Sequence, residues 1–440
     1  MVFRPELSWE FLPAEEIEAK TMRAMRNHVR HIKDDSPYYQ DALKDIHPDD
    51  ITDRSALERL PFTDKNTLST QTERFIGVTQ QKLVETVVTS GSTGKPITYC
   101  LTASDLDRLA YNEALCFYSA GVTEKDRAQI FVSLDRLFIA GIAYYRGLTT
   151  LGANTSRIGV LPLEMQKHYL QLLQPTVIVG VPSFLKKLAI ELNKCGFDTR
   201  NSTITRLFCI GESIRDEKME LNATGRILEE MYRAQVFSTY GATELAVAYC
   251  ECTAQCGGHA HPELIYTEVV DEAGKPVPDG TPGELVATPL GVEGMPLLRY
   301  KTGDITFKIS DQCACGRNAA RIGPILARKS QMIKIRGTTI YPLTITNILD
   351  EFDEINDYLV EIESQAPTSD NVTVHAAVSP DVVTAITQKL HAGTRVHIPV
   401  LVSNETTVQS LRGAGRKKLR VLDRRAGTAA NPTGPSTTQV

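Results

Sequence analysis

A run of hydroxyl-bearing and glycine residues at positions 89–96 has the composition of a phosphate-binding loop. Glycine lets backbone N–H groups approach an anion closely, hydroxyl groups add donors, and a lysine near the end of the run supplies positive charge. The run is not a Walker A motif, because Pro96 follows the lysine where that motif has Ser or Thr. An ordinary surface turn is the alternative. The candidate phosphate-binding residues are Ser90, Gly91, Ser92, Thr93, Gly94 and Lys95.

Cysteine and histidine residues form two groups whose spacing is typical of a zinc site. Nine cysteines are present, and those outside the two groups stand singly in apolar surroundings. Two short clusters of thiols and imidazoles, far apart in the chain, supply two arms of a tetrahedral site. Free thiols are the alternative. The grouped residues are Cys250, Cys252, Cys256, His259 and His261 in the first arm, and Cys313 and Cys315 in the second.

Short apolar runs alternate with helical stretches from Ile130 onward. This alternation predicts a doubly wound, largely parallel sheet, in which ligands bind at the carboxyl ends of the strands. Three predicted strands end in small polar segments, 180–183, 211–213 and 238–244, each of which taken alone is an ordinary βα turn. Together with loop 89–96 they predict a nucleotide-sized cleft. The candidate residues are Pro182, Gly211, Glu212, Ser238, Thr239, Tyr240, Gly241, Ala242, Thr243 and Glu244.

The rest of the chain divides into segments that differ in residue pattern and composition. Apolar residues at helical spacing from residue 14 predict a helical lead-in, and Thr63 or Asp64 is placed to cap a short helix. After residue 263, alternating β-type residues and turn residues predict an antiparallel sheet or small barrel. A shorter unit that mixes strands and helices begins near Arg328. The tail, residues 426–440, is rich in Thr, Ala, Pro and Gly and is predicted to be disordered.

Composition limits the class of function. The chain has 440 residues, 42% hydrophobic and 23% charged, with a formal net charge of -5. These are ordinary values for a soluble globular protein of two or three domains. A negative net charge without a basic stripe argues against nucleic-acid binding. The first ten residues lack a secretory signal pattern and no apolar run has membrane-spanning length, so we expect a cytoplasmic protein with no membrane partner.

Four segments occur in an order typical of one protein superfamily. They are residues 89–96, 238–244 and 299–304, and Arg328 with 333–337. The chain thereby resembles the adenylate-forming superfamily of acyl- and aryl-CoA ligases, peptide-synthetase adenylation domains and luciferases. The paired cysteine groups and three short segments, 60–63, 182–184 and 340–342, are most similar to the phenylacetate–CoA ligase branch.

The resemblance implies an α/β fold of two domains. Residues 1–327 are expected to form a large N-terminal adenylation domain of doubly wound sheets with a small β-barrel-like part. Residues 328–425 are expected to form a small, mobile α+β C-terminal domain that acts as a lid.

The resemblance also implies roles for the nucleotide-binding residues. A carboxylate attacks the α-phosphorus of ATP and pyrophosphate leaves, so the protein acts mainly by positioning and by electrostatic stabilisation. The phosphate loop is expected to bind the β- and γ-phosphates, with Thr93 and Glu244 near Mg²⁺. Tyr240 is expected to lie against the adenine. Asp304 and Arg328 are expected at the ribose, because an ionised carboxylate accepts hydrogen bonds from both hydroxyl groups.

A mobile C-terminal domain delivers a lysine for adenylation in this superfamily and then rotates about a hinge. Counting back from Arg420, Lys417 takes the place of that lysine, and Lys418 is the alternative within the same basic run. A compact charge on a flexible stem suits contact with both the carboxylate and the α-phosphate. Ser330 stands at the hinge position, where an acidic residue is usual, so the chain departs from the family pattern for the thioester-forming step.

A structural zinc site follows from the same resemblance. In phenylacetate-type relatives that carry zinc, one cysteine and a histidine seven residues later join a Cys-x-Cys pair. The corresponding residues here are Cys252, His259, Cys313 and Cys315. Four protein ligands leave no position for water, so the metal is expected to be structural.

The acyl pocket is expected to favour an aromatic acid. Aromatic side chains contribute to the matching segments, although such side chains also belong in ordinary cores. The expected pocket residues are Phe138, Tyr144, Tyr145, Pro182, Gly211, Gly241 and Ala242.

The implied function is that of an ATP-dependent, AMP-forming carboxylate–CoA ligase, with Lys334, Arg336 and the run 412–420 as candidates to bind coenzyme A. Two alternatives stay open. One is an adenylate-forming enzyme that passes the acyl group to an amine or to a carrier-protein thiol. The other is a nucleotide-binding module without catalysis. ATP, Mg²⁺, Zn²⁺, coenzyme A and a small carboxylic acid are the expected ligands, and a homodimer is one assembly open to the protein.

Overall fold

A computed structural model of the protein describes residues 3–89, 97–135, 137–335, 338–366, 369–412 and 419–425. The chain divides into two compact units, with the division between Ile325 and Leu326. Among the described residues, no helix is both long and apolar enough to cross a membrane. Several predicted features lie outside the described residues: Ser90, Gly91, Ser92, Thr93, Gly94 and Lys95 of the phosphate loop, Arg336, Lys417, Lys418 and the tail 426–440.

The helices of the first unit begin at side-chain caps and at prolines. The Asp64 carboxylate accepts a hydrogen bond from the Thr67 amide at 2.8 Å, which confirms one of the two caps predicted there. Pro37 divides the predicted lead-in into two helices. The described helices of this unit are α1 (Ala14–Asp35), α2 (Pro37–Ala42), α3 (Arg54–Leu57), α4 (Lys65–Thr70), α5 (Ala103–Ser119), α6 (Ile139–Leu151), α7 (Leu163–Leu173), α8 (Pro182–Lys194) and α9 (Ala223–Tyr232).

Strands make up much of the remainder of this unit. The described strands are β1 (Thr63–Asp64), β2 (Leu83–Val88), β3 (Thr98–Thr102), β4 (Arg127–Ile130), β5 (Asn154–Arg157), β6 (Val177–Gly180), β7 (Arg206–Ile210), β8 (Gln235–Ala242), β9 (Val247–Glu251), β10 (Gly258–His259), β11 (Ile265–Val270), β12 (Gly283–Pro289), β13 (Tyr300–Thr306), β14 (Lys308–Ile309) and β15 (Arg321–Ile322). Nine of them form one sheet in the order β14-β15-β10-β9-β8-β7-β6-β4-β5. The part from β8 to β5 is parallel, as predicted, and the remainder is antiparallel.

Helices cover both faces of the parallel part of this sheet. Val177 and Val179 of β6 pack in a core with α5 and α6. Ile178, between them, packs in a second core with α7, α8 and α9. Successive residues of a strand point to opposite faces, so a strand buried on both sides is apolar at every position. The predicted doubly wound arrangement is confirmed.

Residues 238–242 lie in β8, whereas the sequence predicted a turn there. β9 pairs with β8 in the antiparallel direction and places Thr239 opposite Cys250 and Gly241 opposite Ala248. The chain leaves the strand later, through a 3-10 helix at Thr243–Leu245. The prediction of a βα turn was wrong because small polar residues continue a strand when a neighbouring strand satisfies their backbone groups.

A second sheet of the first unit runs in the order β1-β13-β12-β11. Its antiparallel part, β11 to β13, was predicted. One residue of β12 stands opposite residues 302–304 of β13, so β13 bulges there. Gly303 has a φ of 73°, which glycine adopts without steric cost. Asp304 therefore lies in a bulge inside β13, and a bulge of this kind redirects a side chain.

Arg299, directly before β13, is fully buried. Its Nε and Nη2 atoms donate to the two carboxylate oxygens of Glu268 in β11 at 3.0 and 2.9 Å. Its Nη1 atom donates to the Leu60 carbonyl at 2.9 Å, and the Phe62 ring centre lies 4.0 Å from the guanidinium carbon. One side chain therefore joins β13, β11 and the segment that precedes β1.

The second unit mixes strands and helices, as predicted. Its described elements are β16 (Ala327–Arg328), β17 (Ile333–Ile335), β18 (Thr338–Ile340), α10 (Pro342–Leu349), β19 (Asp357–Ala366), β20 (Ser369–Ala377), α11 (Val383–Thr394), β21 (Val400–Ser403), α12 (Glu405–Arg412) and β22 (Val421–Asp423). The main sheet has the order β21-β20-β19-β22. Ile345 of α10 and Leu390 of α11 belong to the core that packs against this sheet. The lid motion and the domain limits at residues 327, 328 and 425 stay predictions.

Arg299→Ala is expected to lower the free energy of unfolding by about 3–5 kcal/mol, because it leaves the buried Glu268 carboxylate without its partner. The double variant Arg299→Met with Glu268→Gln is expected to lose less, since neither side chain then carries an unpaired charge. Chemical denaturation followed by circular dichroism measures both. Arg59→Ala, at an exposed arginine, is the control. A single variant as stable as the control would contradict the expectation.

Candidate functional site

A carboxylate joins the carboxyl ends of β6 and β7. Glu212, in the turn after β7, accepts hydrogen bonds from the Ser183 amide at 2.9 Å and from the Ser183 hydroxyl at 2.6 Å. Gly211 has a φ of 76°, and a Cβ atom there would meet open space. Pro182 is buried in the first turn of α8. Glu212, predicted to bind ATP, therefore fixes the start of α8, while Gly211 leaves room beside it.

Two of the predicted nucleotide-binding segments meet through a hydrogen bond. The Tyr240 hydroxyl donates to the Asp304 Oδ2 atom at 2.7 Å. Tyr240 lies on β8 of the nine-stranded sheet, and Asp304 lies in the bulge of β13 in the second sheet. Asp304 is almost fully buried, whereas Tyr240 is half-buried. An aromatic ring and a carboxylate are thus gathered at one place.

A buried ion pair supports β8 from behind. Arg215 donates to the two carboxylate oxygens of Glu251 at 2.8 and 3.0 Å, and the Ser238 amide donates to the same carboxylate at 2.9 Å. The sequence analysis missed this pair. An acidic residue between two cysteines in an otherwise apolar strand was the available signal, because a buried carboxylate requires a charged partner.

Glu244 is buried just after β8, in the 3-10 helix that also contains Thr243. No other described residue forms a hydrogen bond or an ion pair with its carboxylate. A buried carboxylate without a protein partner suits a cation. Thr93, the second predicted magnesium residue, lies outside the described residues. The structure therefore describes the surroundings of Glu244 only.

The aromatic residues of the predicted acyl pocket differ in their surroundings. Phe138 is exposed at the start of α6. Tyr144 is buried with its ring centre 6.0 Å from that of Phe117, and burial together with the charge of Glu113 raises the pKa of its hydroxyl well above the ordinary value. The Tyr145 ring lies 4.8 Å from the Arg157 guanidinium. Tyr144 belongs to the buried core that also contains Phe237 of β8.

The remaining predicted pocket residues lie on β8. Gly241 pairs with Ala248 of β9, and a Cβ atom at Gly241 would stand 3.3 Å from the Val247 carbonyl oxygen. Ala242 is half-buried at the end of the strand. Small side chains at these positions allow the strand to lie close to β9.

Glu113 of α5 is a buried acid that the sequence analysis did not identify. Burial raises the pKa of its carboxyl group to about 8. No other described residue forms a hydrogen bond with it. Gly147 of α6 lies against it, since a Cβ atom at that glycine would stand 2.3 Å from the Glu113 Cβ atom. The negative charge of Glu113 also raises the pKa of the Tyr144 hydroxyl.

Four predicted zinc ligands come together in the structure. Their ligand atoms, from Cys252, His259, Cys313 and Cys315, all lie within 4.8 Å of one another. Cys252 Sγ is 3.6 Å from Cys313 Sγ, and Cys315 Sγ is 3.7 Å from His259 Nε2. Burial alone would raise the pKa of the Cys315 thiol, but the hydrogen bonds that join it to His259 and Arg317 have the larger effect and lower the pKa to about 5. A thiolate is the form that binds zinc.

The other residues of the first arm point elsewhere. The Cys250 thiol donates to the Glu251 carbonyl, and the exposed Cys256 thiol donates to the Ala254 carbonyl at 3.2 Å. His261 lies 3.4 Å from the Cys116 sulfur. Among the described residues, the ligand set left open by the sequence therefore reduces to the four that the resemblance implied.

The second unit contains the remaining predicted residues. Arg328 and Ser330 are exposed. Arg425 donates to the carbonyl oxygens of Ser330 and Met332 and so fixes the backbone at the predicted hinge. Lys334 is also exposed, on β17.

Two arginines proposed for coenzyme A have partners within the second unit. Arg412 donates to the Asp357 carboxylate at 2.7 and 2.9 Å, and Arg420 pairs with Asp350. Arg412 is also nearly buried, with 10% of its side chain exposed. Both arginines therefore form ion pairs inside the second unit. The nearly buried position of Arg412 argues against a role for this residue in binding coenzyme A.

The sequence matches the AMP-binding enzyme family over residues 17–292. The chain belongs to this family. Its match confirms the predicted resemblance to the adenylate-forming superfamily. The chain is similar to the phenylacetate-coenzyme A ligase of Thermus thermophilus, with 28% identity over 97% of this chain and 100% of the relative. It is also similar to the phenylacetate-coenzyme A ligase of Pseudomonas putida, with 27% identity over 82% and 83% of the two chains. The predicted branch is thereby confirmed for this AMP-binding enzyme.

A solved structure shares the fold of this AMP-binding enzyme. It is 2-hydroxyisobutyryl-CoA ligase in the postadenylation state, in complex with 2-HIB-AMP. The TM-score is 0.82 at 21% identity, covering 94% of this chain and 91% of the other. The predicted fold class is confirmed.

Glu113→Gln is expected to raise stability at alkaline pH. The folded-state pKa of Glu113, about 8, lies above its ordinary value of 4.5. Folding therefore favours the protonated acid, and the wild type loses stability as pH rises from about 4.5 through 8, by about 1.4 kcal/mol for each unit. Glutamine does not ionise and so avoids this loss. The free energy of unfolding of the variant should therefore rise relative to that of the wild type between pH 5.5 and 8.5.

Thermal unfolding at those two pH values measures the difference. Glu229→Gln, at an exposed position of α9, removes the same charge without a buried site and is the control. A stability difference between Glu113→Gln and wild type that stays constant with pH would contradict the raised pKa.

Proposed function

We propose that this AMP-binding enzyme is an ATP-dependent, AMP-forming carboxylate–CoA ligase. The observation that carries the proposal is the 2.7 Å hydrogen bond between Tyr240 and Asp304. It gathers an aromatic face and a carboxylate acceptor, which suit an adenine ring and two ribose hydroxyl groups. The names of the relatives, which are phenylacetate-coenzyme A ligases, support coenzyme A as the acceptor.

The nucleotide is proposed to bind along β8 and the bulge of β13. Tyr240 packs against the adenine, Asp304 accepts from the ribose, and Arg328 reaches the same sugar. Ser238 and Thr239 line the strand beside them. The proposed phosphate ligands are Ser90, Gly91, Ser92, Thr93, Gly94 and Lys95.

A magnesium ion is proposed at Glu244 with Thr93. The buried Glu244 carboxylate fits an oxygen-seeking cation because no other described residue binds it. When bound, the ion supplies positive charge at the phosphate oxygens of ATP. Glu244 would hold the ion beside these phosphates.

In the first step, a carboxylate oxygen of the acid attacks the α-phosphorus of ATP. A P–O bond forms to the acyl group, and the P–O bond to pyrophosphate breaks. Negative charge on the phosphate oxygens is stabilised by a lysine of the second unit, which we assign to Lys417 with Lys418 as its alternative. Fixed positive charge aimed at such oxygens is worth more than the same charge in water.

In the second step, the thiol of coenzyme A attacks the acyl carbonyl, and the C–O bond to AMP breaks. Lys334, exposed on β17, stays a candidate for a coenzyme A phosphate. The proposed hinge at Ser330 is held by Arg425, so a rotation there requires these backbone hydrogen bonds to change. Transfer to an amine or a carrier-protein thiol is the second candidate. Ser330 at the hinge position left it open in the sequence, but the relatives, which are named coenzyme A ligases, do not favour it.

The acid is proposed to be aromatic. Phe138, Tyr144 and Tyr145 supply the rings, and Tyr144 packs in the same core as Phe237 of β8. Pro182, Gly211, Gly241 and Ala242 complete the proposed pocket. Phenylacetate, which the named relatives use, is the first acid to test.

The four-residue cysteine and histidine site is proposed to hold zinc. Three sulfur atoms and one imidazole nitrogen fit a closed tetrahedral site, in which the metal is structural. The protein is proposed to reside in the cytoplasm, where its nine free cysteines would stay reduced.

AMP release with phenylacetate and ATP is expected to rise at least about tenfold when coenzyme A is added, because the thiol removes the bound acyl-adenylate. The acyl thioester is the expected product by mass spectrometry. Asp304→Ala, which removes the proposed ribose contact, is the low-activity control. AMP release that does not change with coenzyme A, but rises with an amine or a phosphopantetheinylated carrier protein, would favour transfer to one of those acceptors instead.

Lys417→Ala is expected to slow acyl-adenylate formation by roughly a hundredfold or more, the scale for loss of one electrostatic stabiliser. Conversion of a chemically supplied acyl-adenylate to thioester should stay near the wild-type rate. Lys418→Ala, one position along the same run, is the matched control. If Lys418→Ala is the damaging change, the assignment of the lysine is off by one residue.

A further inference from the structure

The N-terminal segment, residues 3–12, contains a fully buried carboxylate. Glu10 lies in a 3-10 helix, Trp9–Phe11, and has no exposed surface. Its neighbours are not buried in the same way, since Trp9 is half-buried and Phe11 is 43% exposed. A short helix of this kind has no core of its own, so Glu10 depends on the elements around it.

Glu10 is held by two basic side chains that lie far from it in the chain. Its Oε2 atom is 3.2 Å from the Arg317 Nε atom, and its Oε1 atom is 3.3 Å from the His261 Nδ1 atom. The backbone is held as well: the Asn318 amide donates to the Glu10 carbonyl at 2.7 Å. The Asn318 side chain donates to the Leu12 carbonyl at 2.9 Å.

The same arginine reaches the proposed metal site. Arg317 Nη1 donates to the Cys315 sulfur at 3.4 Å, while Nε faces Glu10. The Phe11 ring centre lies 4.7 Å from the guanidinium carbon and covers it. One buried guanidinium therefore has a metal-site sulfur on one side and the N-terminal segment on the other.

We propose that Glu10 and Arg317 are positioning residues of the metal site, and that metal binding in turn fixes the N-terminal segment in its docked position. The inference rests on the proposed zinc. Residues around metal ligands orient those ligands and tune their affinity. Coupling between two sites is reciprocal, so a segment that stabilises the metal site is itself stabilised by the metal.

The chemistry of the pair supports this coupling. A zinc site with three thiolates carries excess negative charge, and a guanidinium donor on one sulfur offsets part of it. The guanidinium is buried and needs a carboxylate of its own, which Glu10 supplies. If the segment undocks, Arg317 loses that partner and can turn away from Cys315.

The first test compares zinc affinity in variants of the full chain. Wild-type protein is expected to contain about one zinc per chain. Glu10→Gln and Arg317→Gln are each expected to lower the affinity for zinc by about 10–100-fold in competition with a chelator. Glu16→Gln removes the same charge from an exposed position of α1 and is expected to leave the affinity unchanged.

Cobalt in place of zinc gives a readout that a general loss of stability would not move. The absorption bands of cobalt report on its thiolate ligands directly. Arg317→Gln removes the donor to Cys315, so these bands are expected to shift. In Glu16→Gln they are expected to match the wild type.

The second test uses Trp9, the only tryptophan in the chain, as a reporter of the segment. Removing zinc from the wild type is expected to shift its fluorescence to longer wavelength and to speed hydrogen exchange in residues 3–12. This arm needs no variant, so it decides the question even if Glu10→Gln fails to fold. Unchanged emission and exchange after zinc removal would overturn the coupling.

Two further results would also overturn it. One is a zinc affinity of Glu10→Gln within twofold of that of Glu16→Gln. The other is wild-type protein without zinc, which would remove the metal proposal while leaving the ligase proposal to the measurement of AMP release. All of these measurements are made without acid or ATP, so their outcome is separate from that of the catalytic tests.

Discussion

The pair of Arg299 and Glu268 is the interaction on which the candidate site depends most. A guanidinium and a carboxylate that are both buried must meet each other, because either one alone is costly in the interior. Their two hydrogen bonds fix the start of β13 against β11. Five residues further on lies Asp304, whose side chain reaches Tyr240 in the other sheet. The relation between the two sheets at this point is therefore set by charge pairing as well as by apolar packing.

The part of the fold that local pattern determines was predictable. Strands buried on both faces are apolar at every position, and this signal located β6, β7 and the start of β8. The pattern could not show that β9 would pair with β8, because strand pairing is a relation between segments. Ser238 to Ala242 were therefore assigned to a turn. The bulge at Gly303 was missed for a similar reason, since it is defined only by the register against β12.

The residues of the candidate site were predictable where they belong to a sequence motif. They were not predictable where a side chain pairs with another that is distant in the sequence. Tyr240, Asp304 and the four metal-site residues were identified from ordered motifs, and the structure brings them into two groups. Nothing local marks the partner of a buried charge. The Glu10 pair with Arg317 and the buried acid at Glu113 could be found only from the three-dimensional arrangement, because burial is a property of the fold and not of the residue.

The docking of the N-terminal segment also has a consequence for synthesis on the ribosome. Glu10 is made long before its partners, since the hydrogen bond from the Asn318 side chain to the Leu12 carbonyl spans 306 positions. At translation rates of about 5–20 residues per second, Glu10 waits roughly 15–60 s for Arg317 to be made. During that time the carboxylate is free to remain in water. Residues 3–12 are therefore among the last parts of the first unit to reach their native position, and Trp9 would report that late step.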